Sequence, residues 1–219
     1  MIKLLLAIIS LSLPLLQDKP ADIAKKELPK KATCAVCTAS GNGHGEEKPA
    51  AGLMYKGKAY FFCNGKEVET FKKNPDLYVP LELPMELPSL DLKDQNGKLW
   101  DTAALKGRVV LLDYWATWCK PCLALKPKLD KVRAEFSGDG FEVLSISIDE
   151  KQETLDRFLA KQKWDNPVLL DTKSTWANLK IVGIPALFLV SDGRVIAEFR
   201  GQLDPEELRK DIRAALEKK

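Results

Sequence analysis

The chain holds five cysteines, and two of them, Cys119 and Cys122, stand three apart in the stretch "WCKPC" directly after a strongly apolar run. A cysteine where a helix begins sits among unpaired backbone N–H groups, at the positive end of the helix dipole. Both effects favour thiolate over thiol. A second cysteine three residues on lies one turn along the same face, within reach to close a disulfide. The spacing therefore predicts a redox couple. Cys119 is the attacking sulfur and is expected to be open to solvent; Cys122 is the resolving one, more buried and protonated at rest. Lys120 adds positive charge beside the nucleophile, and Pro121 restrains the turn while removing an N–H that would go unpaired anyway.

Other uses of a C-x-x-C fit less well. Half of a zinc site needs a second cysteine pair, and none follows in this part of the chain. A purely structural bridge rarely spans so short a loop at a helix start.

The elements that must position this pair read as alternating strands and helices, the signature of an α/β sheet. "RVVLLDYWA" (108–116) is a near-continuous apolar strand of the kind buried on both faces. A helix follows from Cys119 to about Phe136, with Leu123, Leu125, Leu129 and Val132 as apolar positions and Pro127 as a kink. "FEVLSISID" (141–149) is the next strand and "ETLDRFLAKQ" (153–162) the next helix. "NPVLLD" (166–171) is a short apolar segment, "IPALFLV" (184–190) a strand, and Asp192-Gly193 turns it into "RVIAEFRG". Asn96-Gly97 marks an earlier hairpin. Asp204 as N-cap, Pro205 at N1 and Glu207 at N3 open a terminal amphipathic helix.

The N-terminal part has a different build. Lys3 precedes an apolar run from Leu4 to Leu16, too short to cross a bilayer as a helix, which needs roughly 20 residues. Residues 1–17 read as a secretory signal or an uncleaved anchor, so an exported chain in an oxidising compartment, periplasmic or membrane-anchored, is expected. Residues 18–33 are Lys-rich and read as a tether. Residues 34–79 form a compact cysteine-containing stretch. Pro80, Pro84 and Pro88 then mark an extended linker (80–88), and 89–219 is the larger domain. A net charge of +3 from 34 basic and 31 acidic residues gives no ground for binding nucleic acid.

In residues 34–79, Cys34, Cys37 and Cys63 occur with His44, the chain's one histidine. Tyr55 to Phe62 reads as a hairpin about Lys56-Gly57, and "EVETFKKNPDLY" as a short helix closed by Asn74-Pro75. So small a unit needs a staple, either a disulfide or a metal.

Two resemblances follow from these residues. "LLDYWATWCKPC" (111–122) resembles the active-site segment of the thioredoxin superfamily: a buried strand, an acid six residues before the first cysteine, and W-C-x-P-C beginning at Trp118. "VGIPALFLV" (182–190) matches its second fingerprint, an X-Pro before a strand, which implies a cis bond at Pro185 and backbone left free to pair with an extended substrate. The resemblance implies that Asp113 helps move the proton of the buried thiol, and a carboxylate desolvated in an apolar strand has its pKa raised toward neutrality. Ala116, three before Cys119, departs from the Thr or Ser of peroxiredoxins. "GKLWDTAALKGRVVLLDYWATWC" and the strand and helix between 141 and 171 are similar to the redoxin and TlpA-like branch. The fold implied is α/β, a thioredoxin-like central mixed sheet flanked by helices, with an N-terminal hairpin extension. The function implied is an exported thiol:disulfide oxidoreductase cycling Cys119 and Cys122 against protein thiols and disulfides, with no cofactor in the redox domain. A membrane electron donor would then be needed if it acts as a reductant, and heavy-metal or cytochrome maturation is a process it could serve.

Residues 34–79 resemble a small α+β YHS or TRASH-type heavy-metal domain: C-x-x-C, then Y-x-G-x-x-Y-x-F-C, then F-x-x-N-P-x-x-Y with Phe71 and Tyr78 as its helix aromatics. That family usually has another cysteine where this chain has Glu67. The resemblance implies a copper or zinc site of Cys34, Cys37 and Cys63, with His44 or Glu67 as fourth ligand, or a three-coordinate site suited to Cu(I). A Cys34–Cys37 disulfide with Cys63 as a packed thiol stays open beside it. A metal-handling protein, with this small domain as the main functional module, is the alternative function.

Overall fold

A computed structural model of the chain describes residues 19–201 and 203–218. The Leu4–Leu16 run and its expected role as signal or anchor lie outside them. Among the described residues no helix is long and apolar enough to cross a membrane.

The strands are β1 (Ala21–Asp22), β2 (Ala51–Tyr55), β3 (Lys58–Phe62), β4 (Met85–Glu86), β5 (Asp91–Lys93), β6 (Leu99–Asp101), β7 (Val109–Trp115), β8 (Phe141–Ser147), β9 (Val168–Leu170), β10 (Ala186–Ser191) and β11 (Arg194–Arg200). The helices are α1 (Ala35–Ala39), α2 (Gly65–Lys73), α3 (Lys120–Glu135), α4 (Gln152–Leu159), α5 (Thr175–Asn178) and α6 (Pro205–Leu216). They build a three-stranded sheet β1-β2-β3, a two-stranded hairpin β5-β6, and a six-stranded mixed sheet in the order β4-β11-β10-β7-β8-β9.

At the centre of the large sheet, β7 runs parallel to β8 and antiparallel to β10. Every one of its seven residues is buried. Side chains alternate across a strand, so its two faces feed two cores. Val110, Leu112 and Tyr114 pack with Trp100, Leu105 and Phe188. Val109 and Leu111 pack on the other side with Leu129 and Val132 of α3 and Leu208 and Ile212 of α6. Asp113 has the parity of Val109 and Leu111, so the strand's own period turns it toward the α3 side. Glu135 ties those two helices together, accepting from Arg209 at 2.6 Å and Arg213 at 2.7 Å.

The hairpin turn at Asn96-Gly97 is held by Asp94, which accepts from the amides of Asn96 and Lys98 and from Trp100 Nε1. The first helical residue after the cysteine is Lys120, with Cys119 itself as N-cap. At the start of α6, Asp204 is the N-cap, as expected, and accepts the amide of Glu206.

Two segments hold more structure than their composition suggests. Within the expected tether, β1 pairs with β2, and Ala32 bridges Glu47. Within the proline-rich linker, β4 adds an edge strand to β11. An edge position asks for few backbone donors, so a proline-rich strand is tolerated there. The hairpin β2-β3 turns on Lys56 and Gly57, both with positive φ. Phe71 of α2 is fully buried under it, against Tyr55, Tyr60, Phe62 and Tyr78.

Candidate active site

Cys119 and Cys122 are joined as a disulfide at the start of α3. The Cys119 sulfur accepts the amide of Cys122 at 3.2 Å, so one of the helix-terminal N–H groups faces this atom. It also lies 3.9 Å from the carbonyl oxygen of Ile184. The Ile184–Pro185 bond is cis, as the resemblance implied. Trp118 projects into solvent, 66% exposed, and Lys120 and Pro121 are exposed on the helix start.

One expectation is corrected. In the disulfide state the two cysteines are equally secluded, Cys119 at 4% exposure and Cys122 at 6%. Sequence reasoning had Cys119 open to solvent and Cys122 the more buried. A segment from another element stands nearby: Ser40 lies against Gly183 and Gly41 against Gly201, and residues 40–43 line two clefts beside the Ile184–Pro185 loop.

Beneath α3, Asp113 is 4% exposed, and burial pushes its carboxyl up to about 7, opposed by a hydrogen bond from Ser145 and by the charge of Lys126. Lys126 is one turn beyond Cys122 on α3, so the carboxylate senses the helix face that carries the resolving cysteine. The partner that sets Asp113 was missed from the sequence. Ser145 Oγ donates to Asp113 Oδ2 at 3.2 Å, and accepts from Asn166 Nδ2 at 2.9 Å and from Trp164 Nε1 at 3.3 Å. With its two acceptor positions taken, its one hydrogen points at the carboxylate. Trp164 stacks on Trp115 with centroids 4.3 Å apart and lies under the Lys126 ammonium. The legible clue was a pair of serines, Ser145 and Ser147, in the apolar run that follows Glu142 in β8.

A second missed group holds the approach to Cys119. Asp149 accepts from the Thr117 amide at 2.9 Å, from Thr117 Oγ1 at 2.7 Å and from Ser147 Oγ at 2.7 Å. It fixes the turn between β7 and α3 two residues before the nucleophile.

Similarity to known proteins can be placed on this geometry. Residues 85–199, more than half of the chain, match the model of the AhpC/TSA family. The chain belongs to the AhpC/TSA family. A thiol-disulfide oxidoreductase ResA of Bacillus thuringiensis subsp. konkukian is 28% identical over 130 residues, covering 58% of this chain and 75% of the relative. A crystal structure described as a thiol:disulfide interchange protein DsbE of Chlorobium tepidum superposes with a TM-score of 0.58 at 30% identity, covering 62% of this chain and 99% of that one. The thioredoxin domain of a Bacteroides vulgatus thiol-disulfide oxidoreductase gives 0.54 at 26% identity, covering 61% and 97%. This AhpC/TSA member thus has a thioredoxin-like α/β fold and is a thiol:disulfide oxidoreductase. All three matches leave more than a third of the chain uncovered.

The remaining cysteines lie in the β1-β2-β3 unit. The thiols of Cys34, Cys37 and Cys63 lie within 4.8 Å of one another, with Cys37 and Cys63 sulfurs 3.7 Å apart. Burial alone would push Cys34 up, but N–H and S–H donors from Cys37 and Cys63 bring it below the ordinary thiol range. Cys37 and Cys63 are pushed up, chiefly by burial. Cys63 is shared with a second group, His44 and Glu47. Glu67, named as an alternative ligand, falls in neither group. It opens α2, where its amide is capped by Asn64 Oδ1 at 3.1 Å. Glu47 is the carboxylate at this site, with one oxygen buried and without a hydrogen-bond donor, 3.7 Å from His44 Nδ1.

Proposed function

We propose that Cys119 is the nucleophile of a protein thiol:disulfide oxidoreductase, Cys122 its resolving thiol and Asp113 the group that moves the resolving thiol's proton. The observation that carries this reading is the Cys119–Cys122 bond at a helix N-terminus, above a buried carboxyl with a pKa near 7. In the reducing direction the Cys119 thiolate attacks one sulfur of a substrate disulfide. A mixed disulfide forms and the other substrate sulfur leaves as thiolate. Asp113 takes the Cys122 proton; the Cys122 sulfur then attacks Cys119, releasing the second substrate thiolate and closing the enzyme disulfide. Two electrons pass from enzyme to substrate, and an external dithiol donor, at the membrane in this reading, restores the couple. Export to an oxidising compartment and service to cytochrome or heavy-metal maturation belong to the same proposal. Cys119→Ser is expected to abolish reduction of a protein disulfide, and Cys122→Ser to trap a mixed disulfide visible by non-reducing electrophoresis. Double-digit percentage activity in Cys119→Ser would overturn the reading.

A second function has its own support. Ligands held about 2.3 Å from a common ion in tetrahedral geometry are about 3.8 Å apart, close to the 3.7 Å between Cys37 and Cys63. Cys34, Cys37 and Cys63 would hold a soft ion such as Cu(I) or Zn²⁺, while His44 and Glu47, 3.7 Å apart, group with Cys63 alone, which favours the three-coordinate arrangement suited to Cu(I). Titration of the reduced full chain with Zn²⁺ or Cu(I), against Cys63→Ser, tests it: one equivalent bound by the native chain and weak binding by the variant is expected. Equal binding by both would remove the metal reading.

A further inference from the structure

The segment from Ser40 to Gly43 has no part in the redox chemistry, yet it stands against the Gly183–Pro185 loop, whose Ile184 carbonyl lies 3.9 Å from the Cys119 sulfur. It leaves α1 with its root fixed, Gly41 donating its amide to Thr38 O at 3.1 Å and Asn42 to Cys37 O at 2.9 Å. It then crosses the Gly183–Pro185 loop. A cleft of about 660 Å³ lies on one side, between Asn42, Pro121, Lys128 and Pro185. One of about 520 Å³ lies on the other, between Asn42, Trp118, Trp176 and Ile184. Asn42 lines both, so the segment separates them, over the loop whose Ile184 carbonyl touches Cys119.

The contact is backbone on backbone. A Cβ on Gly41 would come within 2.9 Å of Gly201 N and 3.0 Å of its Cα, and one on Gly183 within 3.1 Å of Ser40 Cα while overlapping the Ser40 carbonyl. Glycine on both sides is what permits so close an approach. Among the described residues no hydrogen bond links Ser40–Gly43 to residues 183–185 or 201, so the contact is one of shape and is readily given up. The segment carries no sulfur and cannot itself form a mixed disulfide.

We propose that Ser40–Gly43 is a built-in cover over the Cys119–Cys122 disulfide, and that a protein substrate reaches Cys119 only when this segment lifts from Gly183 and Gly201. The inference rests on Cys119 as the reacting sulfur. A small disulfide enters through either cleft, whereas a folded chain has to take the cover's place, so the cover discriminates by size.

The test compares insulin with oxidised glutathione as substrates for the reduced full chain, and reads the ratio of the two rates. Gly41→Val pushes the contact apart from the cover's side and Gly183→Ala from the other. In both variants the insulin-to-glutathione ratio is expected to rise about fivefold or more, because apparent affinity scales with the fraction of molecules already open. A ratio unchanged in either variant, with native circular dichroism, overturns the cover. If the native chain reduces neither substrate, the redox reading fails and the cover with it; if it reduces glutathione and only the ratio stays fixed, the cover alone fails.

Discussion

At the scale of single residues, Asp113 ties stability to activity. Its carboxyl stays protonated in the folded chain up to about pH 7, against an ordinary value of 3.8. Between those values the unfolded chain releases a proton that the folded one keeps, so stability falls as pH rises from about 4 to 7 and levels off above. Each pKa unit is about 1.4 kcal/mol, and Asp113→Asn should remove this loss: in denaturant melts, the variant gains relative to the native chain at pH 8 and not at pH 4. The same variant should lose about a hundredfold in turnover, the ordinary weight of one acid–base group. Native turnover should rise as pH crosses 7, when Asp113 becomes the base. Ser145 acts through Asp113 and is a positioning residue. Ser145→Ala removes a bond that favours the carboxylate, so the midpoint of that pH profile should move upward, and Ser145→Thr should restore it. A Ser145→Ala profile with an unmoved midpoint would show that Ser145 is merely packed there.

At the scale of elements, Asp149 matters because it takes three hydrogen bonds that hold the β7–α3 turn. Asp149→Ala leaves Thr117 and Ser147 donors unpaired in a partly buried place. The expected cost is about 1–3 kcal/mol in a urea titration, with a slower reaction at Cys119 because the N-cap loses its anchor. Phe71 is the matching element-scale test in the small sheet: Phe71→Ala should cost about 3–5 kcal/mol there. What sequence could deliver divides along the same line. The alternating and continuous apolar runs of β7, β8, β10 and α3 are local signals, and so were the cysteine spacing, the acid at 113 and the hairpin turns at Lys56-Gly57 and Asn96-Gly97. Ser145, Asn166 and Asp149 take their roles from partners 21 to 32 residues away, and no local pattern announces such pairs. The strands inside residues 18–33 and 80–88 were hidden for the opposite reason: their short runs are paired only because a neighbour's edge stands waiting.

At the scale of the whole molecule, the small sheet and the thioredoxin-like unit meet where the chemistry lies. Ser40 packs on Gly183 there and Gly41 on Gly201, a contact that could not be read from either part alone. A cleft of about 220 Å³ between Tyr60, Tyr78, Val79, Glu198 and Arg200 marks the same seam away from the disulfide. The turn that Asp149 holds and the N-terminus of α3 both bear on one sulfur, that of Cys119. Their joint effect is measured most directly by the rate of iodoacetamide alkylation of Cys119 across pH in the reduced Cys122→Ser chain, with Cys119 identified by mass spectrometry. The account predicts a midpoint at least about one unit below the 8.5 of a free cysteine. A midpoint at or above that value would contradict it.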